Sequence, residues 1–209
     1  MSSMMRQGQF GTCTAVALAA AIQKNLSYKY GEDFSDHDIK TMLLALFDCW
    51  EGKNLEDLCE EFNRKSSSIW LQNSGHRIRL VLDFNRIDDI EAAVKIYKDD
   101  DRVMIVAIKM RNGESHAVVV DRAFDDSESE LYGRTYWGPP EPSLLLIDRT
   151  NFTFAISLET VIVKKMDGSG NQLISDITRG YRKVSKDDNR NTLLNLILCT
   201  LKTCCVVVW

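Results

Sequence analysis

Proline is scarce in this chain. Only three occur among 209 residues, and Pro139, Pro140 and Pro142 sit within one short stretch. Elsewhere nothing of that kind interrupts helices or central strands. Histidine is equally sparse: His37, His76 and His116 lie far apart. The six cysteines form no CxxC pair, so the spacings of a zinc site are missing. No metal and no cofactor is expected. There is no uncharged apolar run of about 18 residues, which argues against a membrane span. The formal net charge is -4 and no basic block stands out, so a nucleic-acid partner is not expected. What remains is ordinary globular composition, 44% hydrophobic and 27% charged, in a chain long enough for a sizeable core.

The cysteines are dispersed and read as free thiols rather than a disulfide framework. Residues 15 to 22, AVALAAAI, have the length of a signal-peptide apolar region. Yet Arg6 is the one basic residue before them, and two glycines and two glutamines stand where such a helix would begin. The mature chain is therefore expected to keep residues 1 to 26, and a cytoplasmic or otherwise intracellular location follows.

Thr12 followed by AVALAAAIQKNL predicts a capped helix that Gly31 ends. FSDHDIKTMLLALFDCW predicts a second, with Ser35 as its cap and Ile39, Leu43, Leu46 and Phe47 at helical spacing. NLEDLCEEFNRK predicts a third, with Leu55, Leu58, Cys59 and Phe62 on one face. IDDIEAAVKIYKDD is a short fourth. RVMIVAIKM and SHAVVVDRAF read as a hairpin of strands around Asn112-Gly113, and SLLLIDRTNF as a further strand. A polar stretch, 125 to 142, separates them. FAISLETVIVKK is another strand or a helix start. Helices first and strands later make this an α+β chain with two segregated lobes. Residues 1–209 form one domain in this reading, 1–100 mainly helical and 101–209 mainly β.

The chemistry centres on Cys13. A thiol becomes a good nucleophile at a helix N-terminus or beside a histidine that can carry charge. Cys13 is placed for the first, and Gly8 and Gly11 let backbone and substrate approach. Its amide could donate to an oxyanion, with Gln7 or Gln9 as the second donor. His116 opens an apolar strand and supplies the second device. Asp148 ends LLLID, expected on the neighbouring strand, and would orient and charge-stabilise His116; Asn151 is the fallback. Bland readings stand beside these. Cys49, Cys59, Cys199, Cys204 and Cys205 are small core residues by default. His37 and His76 read as surface, turn or strand residues. His116 could be a structural histidine, and Asp148 a turn former.

Gln7-Gly8-Gln9-Phe10-Gly11-Thr12-Cys13-Thr14-Ala15 resembles the nucleophile motif of papain-like cysteine peptidases, Gln-Gly-x-Cys-Gly-Ser-Cys-Trp-Ala. FSDHDIKTMLLALFDC resembles the family helix that ends in Asp-Cys. DDRVMIVAIKM resembles its Gly-Pro-Val strand, SHAVVV its His-Ala-Val, and LLLIDRTNF the apolar strand leading into Asn-Ser-Trp-Gly. The ordered set spans about residues 6 to 155. The resemblance implies a helical lobe carrying Cys13, a β-rich lobe carrying His116, and a cleft between them. It also implies Gln7 rather than Gln9 as oxyanion donor. There are departures. Phe10 replaces a cysteine, and Thr14 replaces a tryptophan. Asp148 stands in place of asparagine with no tryptophan after it, and the histidine-to-acid spacing is stretched. Cys13 is close to Met1, so a form without a pro-segment is expected.

The function expected is thiol-dependent hydrolysis of a peptide or protein substrate by Cys13, His116, Asp148 and Gln7. An acyl transferase, deamidase or isopeptidase using the same residues is the alternative in kind. A catalytically inactive papain-like binding protein is the alternative in class.

Overall fold

The apolar run after Cys13 becomes α1, Cys13–Tyr30. In the computed structural model Ala15 to Ile22 are buried almost completely, so the segment with signal-peptide length is core. Residues 12–49, 52–73, 75–100, 102–123, 129–135, 144–170 and 172–175 are described. Cys199, Cys204 and Cys205 lie outside the described residues.

Three helices form where the sequence places them, although the Thr12 side chain makes no cap bond and Leu44 rather than Leu46 is buried in the second. α1 ends at Gly31, whose φ of 63° is the left-handed cap that glycine supplies without strain. α2, Asp36–Phe47, begins at Ser35, whose hydroxyl accepts from the Asp38 amide. α3, Leu55–Lys65, begins at Asn54, whose side chain accepts from the Glu56 and Asp57 amides. Leu55, Leu58, Cys59 and Phe62 are its buried face, as the spacing predicts. The strands are β1 (Leu71–Gln72), β2 (His76–Ile87), β3 (Val103–Lys109), β4 (Ser115–Ala123), β5 (Leu131–Arg134), β6 (Leu144–Ile147), β7 (Phe152–Asp167) and β8 (Gln172–Ser175). α4, Ile90–Asp99, lies between β2 and β3 in sequence.

The pairings are all antiparallel, in the order β1-β2-β7-β3-β4-β5-β6, with β8 also on β7. β3 and β4 form the hairpin expected, and Gly113 turns it with φ 87°. FAISLETVIVKK resolves as strand, within β7. β8 and the end of β7 occupy part of the polar stretch after residue 166, where sequence pattern is weak.

The central strands read as continuous apolar runs because both their faces are covered. Ile105, Ala107, Ala117, Val119, Phe154, Ile156 and Leu158 pack on one side in the same core as α1, α2 and α3. Met104, Val106, Ile108, Val118 and Val120 pack on the other with Leu131, Ile147 and the α4 residues Ile90, Ala93 and Val94. Among the described residues no helix is long and apolar enough to cross a membrane.

One expectation about the sheet is corrected. The strand ending at Asp148 does not lie beside the strand that His116 opens. β5 stands between them, inside the stretch read as a polar separator.

Candidate active site

Cys13 is the first residue of α1 and is half-buried, with its side chain against the first core. Its amide is among the first-turn N–H groups that no carbonyl of the same helix can accept. The start of the helix is fixed from below: the Thr14 hydroxyl donates to the Lys53 carbonyl at 2.7 Å, in the loop before α3.

The far end of α1 is anchored to β7. Asn25 donates to the Leu158 carbonyl at 3.3 Å, Tyr30 to the Thr160 carbonyl at 3.1 Å, and Lys29 pairs with Glu159. α1 also packs against β3 and β4. β4 lies two strands from β7, so the earlier turns of α1 must make those contacts. Back from Asn25 to Cys13 the helix covers ~18 Å. Back from Leu158 to Phe152, β7 covers ~20 Å. Phe152 pairs with Ile108, and Ile108 pairs with His116. By this count the start of α1 lies toward the end of the sheet at which β4 begins, with Cys13 on the α1 side and His116 turned by alternation to the other side.

His116 is the second residue of β4 and only 4% exposed. It directly precedes Ala117, which packs with α1, and by the strand's alternation it shares a face with Val118. Burial pushes its imidazole down to about 4. A neighbouring carboxylate would raise His116; burial instead acts in the lowering direction.

Asp148 sits in the turn from β6 to β7. Its carboxylate accepts from the Thr150 amide at 2.8 Å and from the Thr150 hydroxyl at 2.5 Å, and these bonds hold it below the usual carboxylate range. Asn151 completes the same turn. Its side chain accepts from the Asp148 amide at 3.0 Å and donates to the Leu146 carbonyl at 2.8 Å. The turn-former reading accounts for both residues. Gln7 and Gln9 lie outside the described residues.

The strand beside His116 brings forward a residue that sequence reasoning missed. Val119 pairs with Arg134 and Val120 with Gly133, so the next position, Thr135, stands opposite Val118. Thr135 is 4% exposed and lies on the face that His116 shares. A signal for it was present. Thr135-Tyr136-Trp137-Gly138 carries a tryptophan and a glycine at the spacing of Asn-Ser-Trp-Gly, with threonine in place of asparagine.

The other thiols are unlike Cys13. Cys49 and Cys59 are free and fully buried, and desolvation pushes them up to about 11 and about 12. Among the described residues no group of His, Cys, Asp and Glu gathers where a metal ion could be held.

No family model and no curated protein sequence matches the chain. Among solved structures, it is similar to the bromelain protease from Ananas comosus in complex with the E64 inhibitor. That likeness has a TM-score of 0.54 and 14% identity, over 75% of this chain and 93% of bromelain. The peptidase domain of Streptococcus ComA, a bi-functional ABC transporter involved in a quorum sensing pathway, gives a TM-score of 0.47 and 14% identity, over 76% of this chain and 98% of that domain. At that score the second likeness adds nothing to the first. The chain has the α+β papain-like fold, which a helical layer and an antiparallel sheet define here.

Proposed function

We propose that this chain is a thiol-dependent hydrolase, a cysteine peptidase acting on a peptide or protein substrate. What supports the reading is the papain-like fold, with Cys13 at the start of its first helix and His116 at the start of β4. Histidine is the side chain that most often serves as general base. The Cys13 thiol gives its proton to His116 as sulfur bonds to the substrate carbonyl carbon, and the carbonyl oxygen becomes an oxyanion. The Cys13 amide and the Gln7 side chain donate to it. The C–N bond then breaks, and His116 returns the proton to the leaving amine. Water attacks the acyl thioester with His116 again taking a proton, and the acid leaves with the thiol restored. Thr135 is the group that positions His116, and Asp148 is assigned to its turn. Isopeptide cleavage, deamidation and acyl transfer use the same steps with another leaving group or acceptor.

The test compares parent, Cys13→Ala and His116→Ala protein on fluorogenic peptide libraries, with mass spectrometry after exposure to E64. Covalent labelling at Cys13, and peptide turnover that falls by about 10³-fold or more in either variant, is expected. Turnover that both variants retain overturns the reading. Absence of both labelling and turnover in the parent makes the chain a binding protein.

A further inference from the structure

A second surface is built at the other end of β2 and β7, on the face turned away from the core. Arg77 pairs with Met166 and Arg79 with Lys164 across these strands, and Leu71 pairs with Ile78 on β1. Ile78 and Leu80 alternate with the two arginines and are buried with the core, so the cations point outward. Trp70, one residue before β1, stands in the row of Arg79 and Lys164. All three cations gather on its ring: Arg77 at 4.9 Å from the centroid, Arg79 at 5.9 Å and Lys164 at 5.9 Å.

What sets these cations apart is that they share one ring. Lys29, Lys53, Lys65, Arg86, Arg102 and Arg134 each hold a carboxylate. Lys165, next along the strand, points to the opposite face and pairs with Glu32. Arg77, Arg79 and Lys164 have no carboxylate partner among the described residues. Three like charges sharing one indole repel each other, and the ring face, with a hydrogen bond from Arg77 to the Met166 sulfur, partly offsets this. Arg77 also stands at the rim of a cleft of about 310 Å³ between the turn before β2 and the turn after β7, where Asp167, which accepts from the Ser169 amide, is the one carboxylate of the lining.

We propose that Trp70, Arg77, Arg79 and Lys164 dock an acidic peptide segment, a run of Asp and Glu side chains. Alternate side chains of an extended peptide recur at ~7 Å, the same interval that separates Arg77 from Arg79 along β2. Two carboxylates on one face of the peptide can meet the two guanidiniums, with Lys164 one strand away. A short acidic run matches three cations, whereas a long polyanion would meet the rest of a chain whose net charge is -4. The ring holds the guanidiniums in place before binding, which reduces the entropy lost on docking. This site is independent of the peptidase reading, because it sits at the far end of β7 from Phe152 and needs no bond to be cleaved.

The experiment uses the full chain carrying Cys13→Ser, so that binding is read without cleavage. Fluorescence anisotropy follows fluorescein-labelled hexaglutamate, with a hexaserine peptide and a single-stranded oligothymidine as comparison probes. Hexaglutamate should bind at least about tenfold more tightly than hexaserine, and more tightly than the oligonucleotide. Binding should weaken by at least about tenfold between about 50 mM and about 500 mM salt. Arg77→Glu with Arg79→Glu should abolish it, and the milder Trp70→Phe and Arg79→Gln variants should weaken it. Lys95→Glu, an exposed charge on α4, should leave it unchanged. Equal affinity for hexaserine, tighter binding of the oligonucleotide, or full binding by folded Arg79→Gln together with Trp70→Phe overturns the proposal.

Discussion

Val118 lies directly over Gly133. A Cβ built on Gly133 would stand 2.5 Å from Val118 Cγ2 and 2.9 Å from Ile147 Cδ1. Side chains from β4 and β6 thus meet above the backbone of β5, and this close approach is what the glycine permits. Gly133→Ala forces those side chains apart and should cost ~2 kcal/mol. Adding Val118→Ala opens room beside the new methyl, so the double variant should lose less than the two single losses added together. Urea denaturation midpoints of the four proteins measure the coupling. Additive losses would mean that the contact does not hold β4, β5 and β6 together.

Cys13 should be the first thiol of the described residues to be alkylated. Cys49 and Cys59 are sealed in the core and lifted to about 11 and about 12, so they present almost no thiolate at neutral pH. Cys13 is half-buried at a helix start. Brief iodoacetamide treatment at neutral pH, followed by peptide mass spectrometry, should find Cys13 modified and Cys49 and Cys59 untouched until the protein unfolds. Early labelling of Cys59 would contradict the packing of α3.

Burial of His116 makes stability depend on pH in a definite direction. Its folded value is about 4 and its reference value is 6.5. Between these two the unfolded chain binds the proton and the folded chain does not, so acid favours unfolding. The full stability of the neutral site is present above pH 6.5 and is lost as pH falls toward about 4. The loss attributable to this group is at most ~3 kcal/mol. His116→Gln removes the titration. Between neutral pH and pH about 4.5 the parent should lose more stability than the variant, read as the difference of two urea midpoints. Parallel losses in the two proteins would show that His116 is not desolvated.

The helices and the position of Cys13 were legible because each carries its own signal. Ser35 and Asn54 cap by local bonds, the buried face of α3 repeats within the helix, and Asn112-Gly113 announces its hairpin. β5 was not legible. Leu-Tyr-Gly-Arg is four residues with a glycine among polar neighbours, and only its pairing with β4 and β6 makes it a strand. Missing it moved β6 one place too close to β4, and that error carried Asp148 to the side of His116. The cationic surface was hidden for a related reason. Trp70, Arg77, Arg79 and Lys164 come from segments far apart in the chain, so no basic block forms until the sheet does.

Thr135, rather than Asp148, should prove to be the residue that holds the His116 ring. The register places Thr135 opposite Val118, on the strand that adjoins His116 and on the same face. Asp148 lies in the turn after β6, a strand one place further away, and its carboxylate is already engaged by the Thr150 amide and hydroxyl. A hydroxyl can fix a ring orientation without lending charge, and burial acts to lower the imidazole. Thr135→Val keeps the volume and removes the hydroxyl. It should lower kcat by about tenfold with little change in KM, because ring orientation matters at the moment of proton transfer. Thr135→Ser should restore most of the loss. Asp148→Ala should act differently: the turn loses its acceptor, stability falls by ~1 kcal/mol, and kcat per folded molecule stays near the parent value. Steady-state kinetics beside urea denaturation separates these patterns. If Asp148→Ala abolishes turnover while Thr135→Val behaves like the parent, the register argument fails and the carboxylate takes the role.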